Sequence, residues 1–222
     1  MSMNALVMKK LLPVDLVTGK NDIFNIVNNT KPTASGKYRS VWLGNYKVIK
    51  WDNLTDGRES NRQEIQSYTK ATEPWLPKLH LTSPNLRVIV SERLITVQED
   101  QLAVYQAARV KLGSMVSWFL TNPAFQDKDE AWTYGVRLFL YYTKQCLKWG
   151  YTNDPVKFNT HFNWGFKSRG IAGTANWHAM LTPEILELCN LFQEDVIADL
   201  HHGNIGISQF DKTFKLLDFG GN

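Results

Sequence analysis

The sequence predicts an α+β fold in which a small strand-rich lobe precedes a mainly helical one. Three observations carry this. Residues 33–94 hold β-rich runs separated by turn signals. From Gln101 onward apolar residues recur at three- and four-residue intervals. The last two dozen residues then abandon that period for a polar loop, Asp199-Leu200-His201-His202-Gly203-Asn204, a short hairpin, and an apolar strand, Phe214-Lys215-Leu216-Leu217, that runs into Asp218-Phe219-Gly220.

A chain of 222 residues suffices for one substantial core or for two small lobes sharing a cleft. Its 43% hydrophobic and 12% aromatic content is that of a folded protein rather than a disordered one. The net charge of +4 comes without long basic runs, which suits nucleotide phosphates or an ordinary solvated surface and does not point to nucleic acid. Cys146 and Cys189 each fall inside an apolar helical pattern and read as buried thiols of a cytosolic protein. No apolar run reaches membrane-spanning length, and Met1–Leu12 lacks a signal-peptide core, so a cytoplasmic protein without a membrane partner is expected.

Taken in order, residues 1 to about 30 read as a short helix packing on the first lobe. In residues 33–51, Gly44-Asn45 is a two-residue turn between β-rich flanks. Tyr46, Val48 and Lys50 then share one face of the second strand. A lysine in line with Val48 on an inward face is odd for a core and suits a phosphate clamp. Gly36 and Tyr38 precede the first strand, in a loop whose N–H groups can lie over phosphates. Residues 57–71 read as a helix on which Glu64 faces back toward the strand as the candidate ion-pair partner of Lys50, with Glu59 the alternative. Trp75–His80 and Leu86–Leu94 read as two further strands.

Residues 128–149 place Trp132, Val136, Phe139, Tyr142, Cys146 and Trp149 on one stripe of a long amphipathic helix, a core pattern rather than a ligand box. Residues 150–181 show no clear period and read as a long functional segment. Thr182-Pro183-Glu184 is a helix start: an N-cap, proline at the first position and an early acid. Adjacent His201 and His202 point in different directions, and no third ligand has zinc spacing.

The paired motif at the end resembles a kinase active centre. Phosphoryl transfer needs a carboxylate to orient and deprotonate the acceptor, and two oxygen ligands to hold magnesium against the triphosphate. The resemblance assigns the first role to Asp199 and the others to Asn204 and Asp218. Gly36-x-Tyr38-x-x-Val41 resembles the second half of the protein-kinase glycine-rich loop, and Val48-Ile49-Lys50 resembles its lysine-bearing strand. It implies that Val41 and Val48 roof the adenine, Lys50 contacts the α and β phosphates, and backbone from Glu92 to Leu94 meets the adenine edge. Ala34 and Arg39 stand where loop glycines are usual, and Ala198 stands where an arginine is usual.

Residues 33–222 follow the order of the protein-kinase-like superfamily and most resemble the Ser/Thr protein kinases of lytic bacteriophages. Residues 1–94 would then be the N-lobe and 95–222 a reduced C-lobe ending just after the Asp-Phe-Gly motif. The implied activity is ATP- and magnesium-dependent phosphorylation of Ser/Thr in proteins, bacterial host proteins being the implied partners. The Asp-x-His-x-Gly-Asn loop also occurs in aminoglycoside- and choline-kinase-like enzymes, so a small-molecule kinase is one alternative. A kinase-fold binder without activity is another, since no activation segment follows Gly220 in this sequence. Acceptor binding by residues 101–196, or a truncated form, would equally fit that ending.

Overall fold

A computed structural model describes residues 13–36, 39–53, 61–62, 64–66, 68, 75–171 and 175–217. The first sheet has five antiparallel strands: β1 (Ala34–Ser35), β2 (Arg39–Leu43), β3 (Lys47–Asp52), β4 (Leu79–Thr82) and β5 (Val88–Glu92), in the order β1-β2-β3-β5-β4. The chain leaves it at Arg93 and enters a second, three-stranded sheet made of β6 (Leu94–Thr96), β7 (Ile205–Ser208) and β8 (Phe214–Leu216). With the helices that follow β6, this is the α+β class the sequence predicts, a sheet lobe joined to a helical one.

Period-two alternation gives the first sheet two different faces. Trp42, Ile49, Val88 and Val90 point outward and form a small core with Val14, Val17, Ile23 and Ile26. Helix α1 (Lys20–Asn29) supplies the two isoleucines, so the expected N-terminal helix does pack on this lobe. Val41, Leu43, Val48 and Lys50 point the other way, into the cleft. Asp15 fixes the end of this sheet. Its carboxylate accepts from the N–H groups of Asn45, Tyr46 and Lys47 at 2.7, 2.8 and 3.1 Å.

The β2–β3 turn lies one residue later than expected. Gly44 N–H closes it on the Lys47 carbonyl at 2.8 Å, which puts Asn45 and Tyr46 in the turn. Tyr46 is therefore not on the strand face with Val48 and Lys50; it is exposed and contacts the Phe210 ring at 5.9 Å. Gln209, beside Phe210 in the β7–β8 turn, donates to the carbonyls of Asn45 and Arg93 at 2.6 and 3.3 Å. These contacts tie the two sheets at the edge where the chain crosses between them. Residues 75–78 are not strand either. Trp75 and Leu76 are buried in the helical lobe's core, and the Trp75 carbonyl accepts from Leu216 N–H at 2.8 Å.

The helical lobe comprises α2 (Val97–Leu112), α3 (Ser114–Thr121), α4 (Lys128–Ala131), α5 (Arg137–Lys148), α6 (Pro155–Lys167), α7 (Pro183–Leu191) and α8 (Glu194–Ala198). Thr182 caps α7 as expected, accepting from Ile185 N–H at 3.2 Å. Two expectations need correction. The helix expected over 128–149 is interrupted by a π turn, Trp132–Val136, between α4 and α5, and Trp149 at its end is 48% exposed rather than core. The segment 150–181 is not without a period: its described residues include α6 and the short helical turns Tyr151–Asn153 and Trp177–Met180. Asp154 caps α6 by accepting from Lys157 N–H at 3.1 Å. One turn apart, Phe158, Phe162 and Phe166 then fall on one face and are fully buried, with Trp177 stacked on Phe166 at 4.8 Å. Cys146 and Cys189 are buried, and burial pushes both thiols up, Cys146 to about 12. No helix among the described residues is long and apolar enough to cross a membrane.

Candidate active site

The inner face of the first sheet and the start of the second enclose a cleft of about 450 Å³. Val41, Leu43, Val48 and Lys50 line it on the sheet side; Leu94, Thr96, Glu99, Gly203, Asn204 and Leu217 face them, and Glu92 and Arg93 form the connecting edge. Six residues picked out from the sequence, Val41, Val48, Lys50, Glu92, Leu94 and Asn204, thus converge on one cavity.

Lys50 lies directly across from Val41 in the β2–β3 ladder. Its ammonium is 2.8 and 2.9 Å from the two carboxylate oxygens of Glu64, which is 1% exposed. Glu64 sits in the helical stretch at residues 64–66, so this ion pair joins that stretch to the sheet. Burial alone would push the Glu64 carboxyl up, but the Lys50 ammonium and then the Arg39 guanidinium outweigh it and hold the group below its ordinary value. Burial likewise pulls Lys50 down, with Glu64 opposing. Arg39 is the residue the sequence did not single out for a role. Read only as a missing loop glycine, it places Nη1 at 2.6 Å from Glu64 and makes the carboxylate a shared ligand of two cations.

Glu92 is opposite Lys47, so its side chain takes the outer face with Ile49, and its carboxylate accepts from Lys78 N–H at 3.1 Å. The residue therefore meets the cleft through its backbone. The N–H groups of Glu92 and Arg93 are bonded to the carbonyls of Lys78 and Tyr46, both at 2.8 Å. Arg93 also donates to the Gly44 carbonyl at 2.8 Å and pairs with Glu99, whose other oxygen accepts from Thr96 N–H at the start of α2. Thr96 and Glu99 were not legible as cleft residues, because a helix-capping pair looks the same wherever it occurs.

Gly36 departs from the expectation. Its N–H donates to the Arg39 carbonyl at 2.9 Å and its carbonyl accepts from Asn53 at 3.1 Å, so both backbone groups are held within the hairpin and not presented to a phosphate. Tyr38 and Asp218 lie outside the described residues, as does Glu59. Leu217, which precedes Asp218 in sequence, does line the cleft, with its N–H on the Asn204 carbonyl at 2.7 Å.

On the helical side, Asp199 follows α8. Asn204 Nδ2 donates to the Asp199 carboxylate at 3.1 Å and to its carbonyl at 3.0 Å. The amide oxygen of Asn204 is therefore the atom left to face other ligands. His201 Nδ1 accepts from Gly203 N–H at 3.0 Å, an internal brace of the loop. A Cβ on Gly203 would stand 2.8 Å from the His201 ring, which explains the glycine by close approach rather than by an unusual φ. Burial pulls the His201 imidazole below its usual value despite the nearby Asp199 carboxylate.

No family model matches the chain, and no curated protein matches it. Among solved structures, the gentamicin complex of APH(2″)-IIa is similar with a TM-score of 0.35 at 16% identity, over 92% of this chain and 71% of that one. The streptomycin–ATP ternary complex of APH(2″)-IIa gives 0.34 at 17% identity over the same shares. At this level of likeness nothing about activity follows.

Proposed function

We propose that the protein is a phosphotransferase of the protein-kinase-like type, moving the γ-phosphoryl group of ATP to a hydroxyl acceptor. The observation that carries this reading is the pairing across one cleft of a carboxylate-clamped lysine, Lys50 with Glu64, and an Asp199–Asn204 hydrogen-bonded pair. In this reading Val41 and Val48 cover the adenine, with Leu94 and Leu217 beneath it. Backbone between Glu92 and Leu94 meets its edge. Lys50 contacts the α and β phosphates, held in place by Glu64. Asp199 accepts the acceptor's proton as the new O–P bond forms and the bond to the β–γ bridging oxygen breaks, releasing ADP.

Magnesium takes hard oxygen ligands, of which the amide oxygen of Asn204 would provide one and Asp218 another. When bound it would neutralise charge on the transferring group.

A small-molecule acceptor is favoured by a second cavity of about 660 Å³ whose lining mixes Asn122, Asp127 and Asp129 with Leu120, Pro123 and Phe125, Asp129 having its carboxylate 4.0 Å from His202 of the Asp199 loop. A cavity of mixed polar and apolar lining beside that loop suits a hydroxylated compound with an apolar ring face. Ser/Thr of a protein is the second reading, carried by the sequence resemblance to bacteriophage kinases.

The test is transfer from γ-labelled ATP with magnesium by the purified chain, in protein-free metabolite extract and in metabolite-free lysate, beside Asp199→Asn. Label on metabolites supports the first acceptor class and label on proteins the second. ATP binding without transfer in any arm makes the chain a binder and sinks the phosphotransfer reading.

A further inference from the structure

Three consecutive carbonyls around Asp199 are each taken by a side-chain donor. Arg137 Nη1 donates to Ala198 at 3.1 Å, Asn204 Nδ2 to Asp199 at 3.0 Å and Trp132 Nε1 to Leu200 at 2.9 Å. Two of these donors come from a single helical turn, and that turn is not α-helical. Arg137 N–H bonds to the Trp132 carbonyl, five residues back, closing the π turn Trp132–Val136. In an α-helix, residues five apart point about 140° away from each other, so they cannot face one loop together. The wider turn brings them back toward a common face, and such turns concentrate at functional sites. Gly135 secures the turn from another side: a Cβ there would lie 2.4 Å from the Phe119 ring.

Packing alone accounts for part of this. Trp132 is fully buried between Tyr105 and Phe214, both at 5.8 Å, and its indole N–H needs a partner. Arg137 has no such need. It is only half-buried, so its guanidinium would be solvated without the bond, yet it reaches the carbonyl of the residue just before Asp199.

We propose that Arg137 and Trp132 are positioning residues for Asp199, and that the π turn exists to aim both at its loop. Arg137 brings a cation to Ala198, a position that has none of its own. The proposal rests on the phosphotransfer reading of Asp199.

Arg137→Ala, Arg137→Lys and Trp132→Phe in the full chain test it, read by turnover of magnesium–ATP and by amide hydrogen exchange of residues 199–204. Arg137→Ala should lower kcat about tenfold to a hundredfold, the scale of a small misplacement of a reacting group, with KM for ATP and the unfolding temperature unchanged. Arg137→Lys should restore most of the rate, and both Arg137→Ala and Trp132→Phe should speed exchange in the loop. An unchanged kcat in Arg137→Ala overturns the proposal, as does a fall in kcat and unfolding temperature together without rescue by lysine. If the wild type turns over no ATP, the phosphotransfer reading fails by itself. Exchange then decides the positioning claim: faster in both variants upholds it, and unchanged rates overturn it.

Discussion

The two walls of the cleft hold their key side chains by different means. On the sheet side Lys50 is held by charge: one buried carboxylate, Glu64, grips it together with Arg39. On the helical side Asp199 is held through its backbone, with neutral donors from Asn204 and Trp132 and one guanidinium on successive carbonyls. A charged clamp depends on the protonation of its members and fails when its shared carboxylate is removed, because the cations around it lose their counter-charge. A backbone clamp carries little pH dependence, and its donors can be removed one at a time. The sheet side should therefore be the acid-sensitive wall, and the helical side the one whose precision can be degraded in steps.

Asp199→Asn removes the carboxylate that the helical-side clamp positions. It should lower phosphoryl transfer by about 10²–10⁴-fold while nucleotide binding, measured by calorimetry, stays close to wild type. Retention of full transfer would break the comparison by making the helical wall irrelevant to chemistry. Glu64→Gln should destabilise the fold by about 3 kcal/mol in chemical denaturation, since two partly buried cations lose the buried counter-charge they share. A loss below 1 kcal/mol would mean that the clamp is solvated.

The same group sets the pH behaviour. Its folded pKa lies below its ordinary value of 4.5. Its contribution is therefore fully present above about pH 4.5 and is lost as pH falls further, toward the folded value. Wild type should lose stability over that window more steeply than Glu64→Gln, as followed by denaturation midpoints between pH 6 and pH 3. Parallel curves would remove the acid sensitivity from this wall.

Arg39→Ala should cost less, about 1–2 kcal/mol, because Lys50 remains on Glu64. An effect equal to that of Glu64→Gln would show Arg39, not Lys50, to be the main partner. Asp15→Ala should have the smallest effect, about 1 kcal/mol in the same assay, since three exposed or half-buried turn N–H groups can turn to water.

What was legible in the sequence divides along the same line. The Asp199–Asn204 pair was readable because both residues fall in one short loop at a fixed spacing, and Lys50 because it breaks an apolar strand face; Glu64 was one of two candidates, and the fold put it on Lys50. Arg39 and Arg137 were not, since each acts on a partner brought close only by the fold, 25 residues away for Glu64 and 61 for Ala198. Arg137 was further hidden by the π turn, because α-helical counting puts it on a different face from Trp132. Helix α6 was missed for another reason. Asn159, Thr160 and Asn163 dilute its composition, although Phe158, Phe162 and Phe166 keep the four-residue step. The Asp154-Pro155 start was the available signal.

The tie made by Gln209 sets how the cleft can change its width. Its amide holds the β2–β3 turn and the crossover at Arg93 together, while Phe210 packs on Tyr46. A pin at one edge makes any relative rotation of the two lobes smallest there and larger along β3 from Lys47 toward Lys50 and Asp52. Were the lobes to rotate, the end of the cavity near Leu94 would keep a nearly constant gauge and the end lined by Lys50 and Asn204 would take up the swing. A flat ring would meet a preset slot, whereas whatever lies between Lys50 and Asn204 would meet jaws that adjust to it.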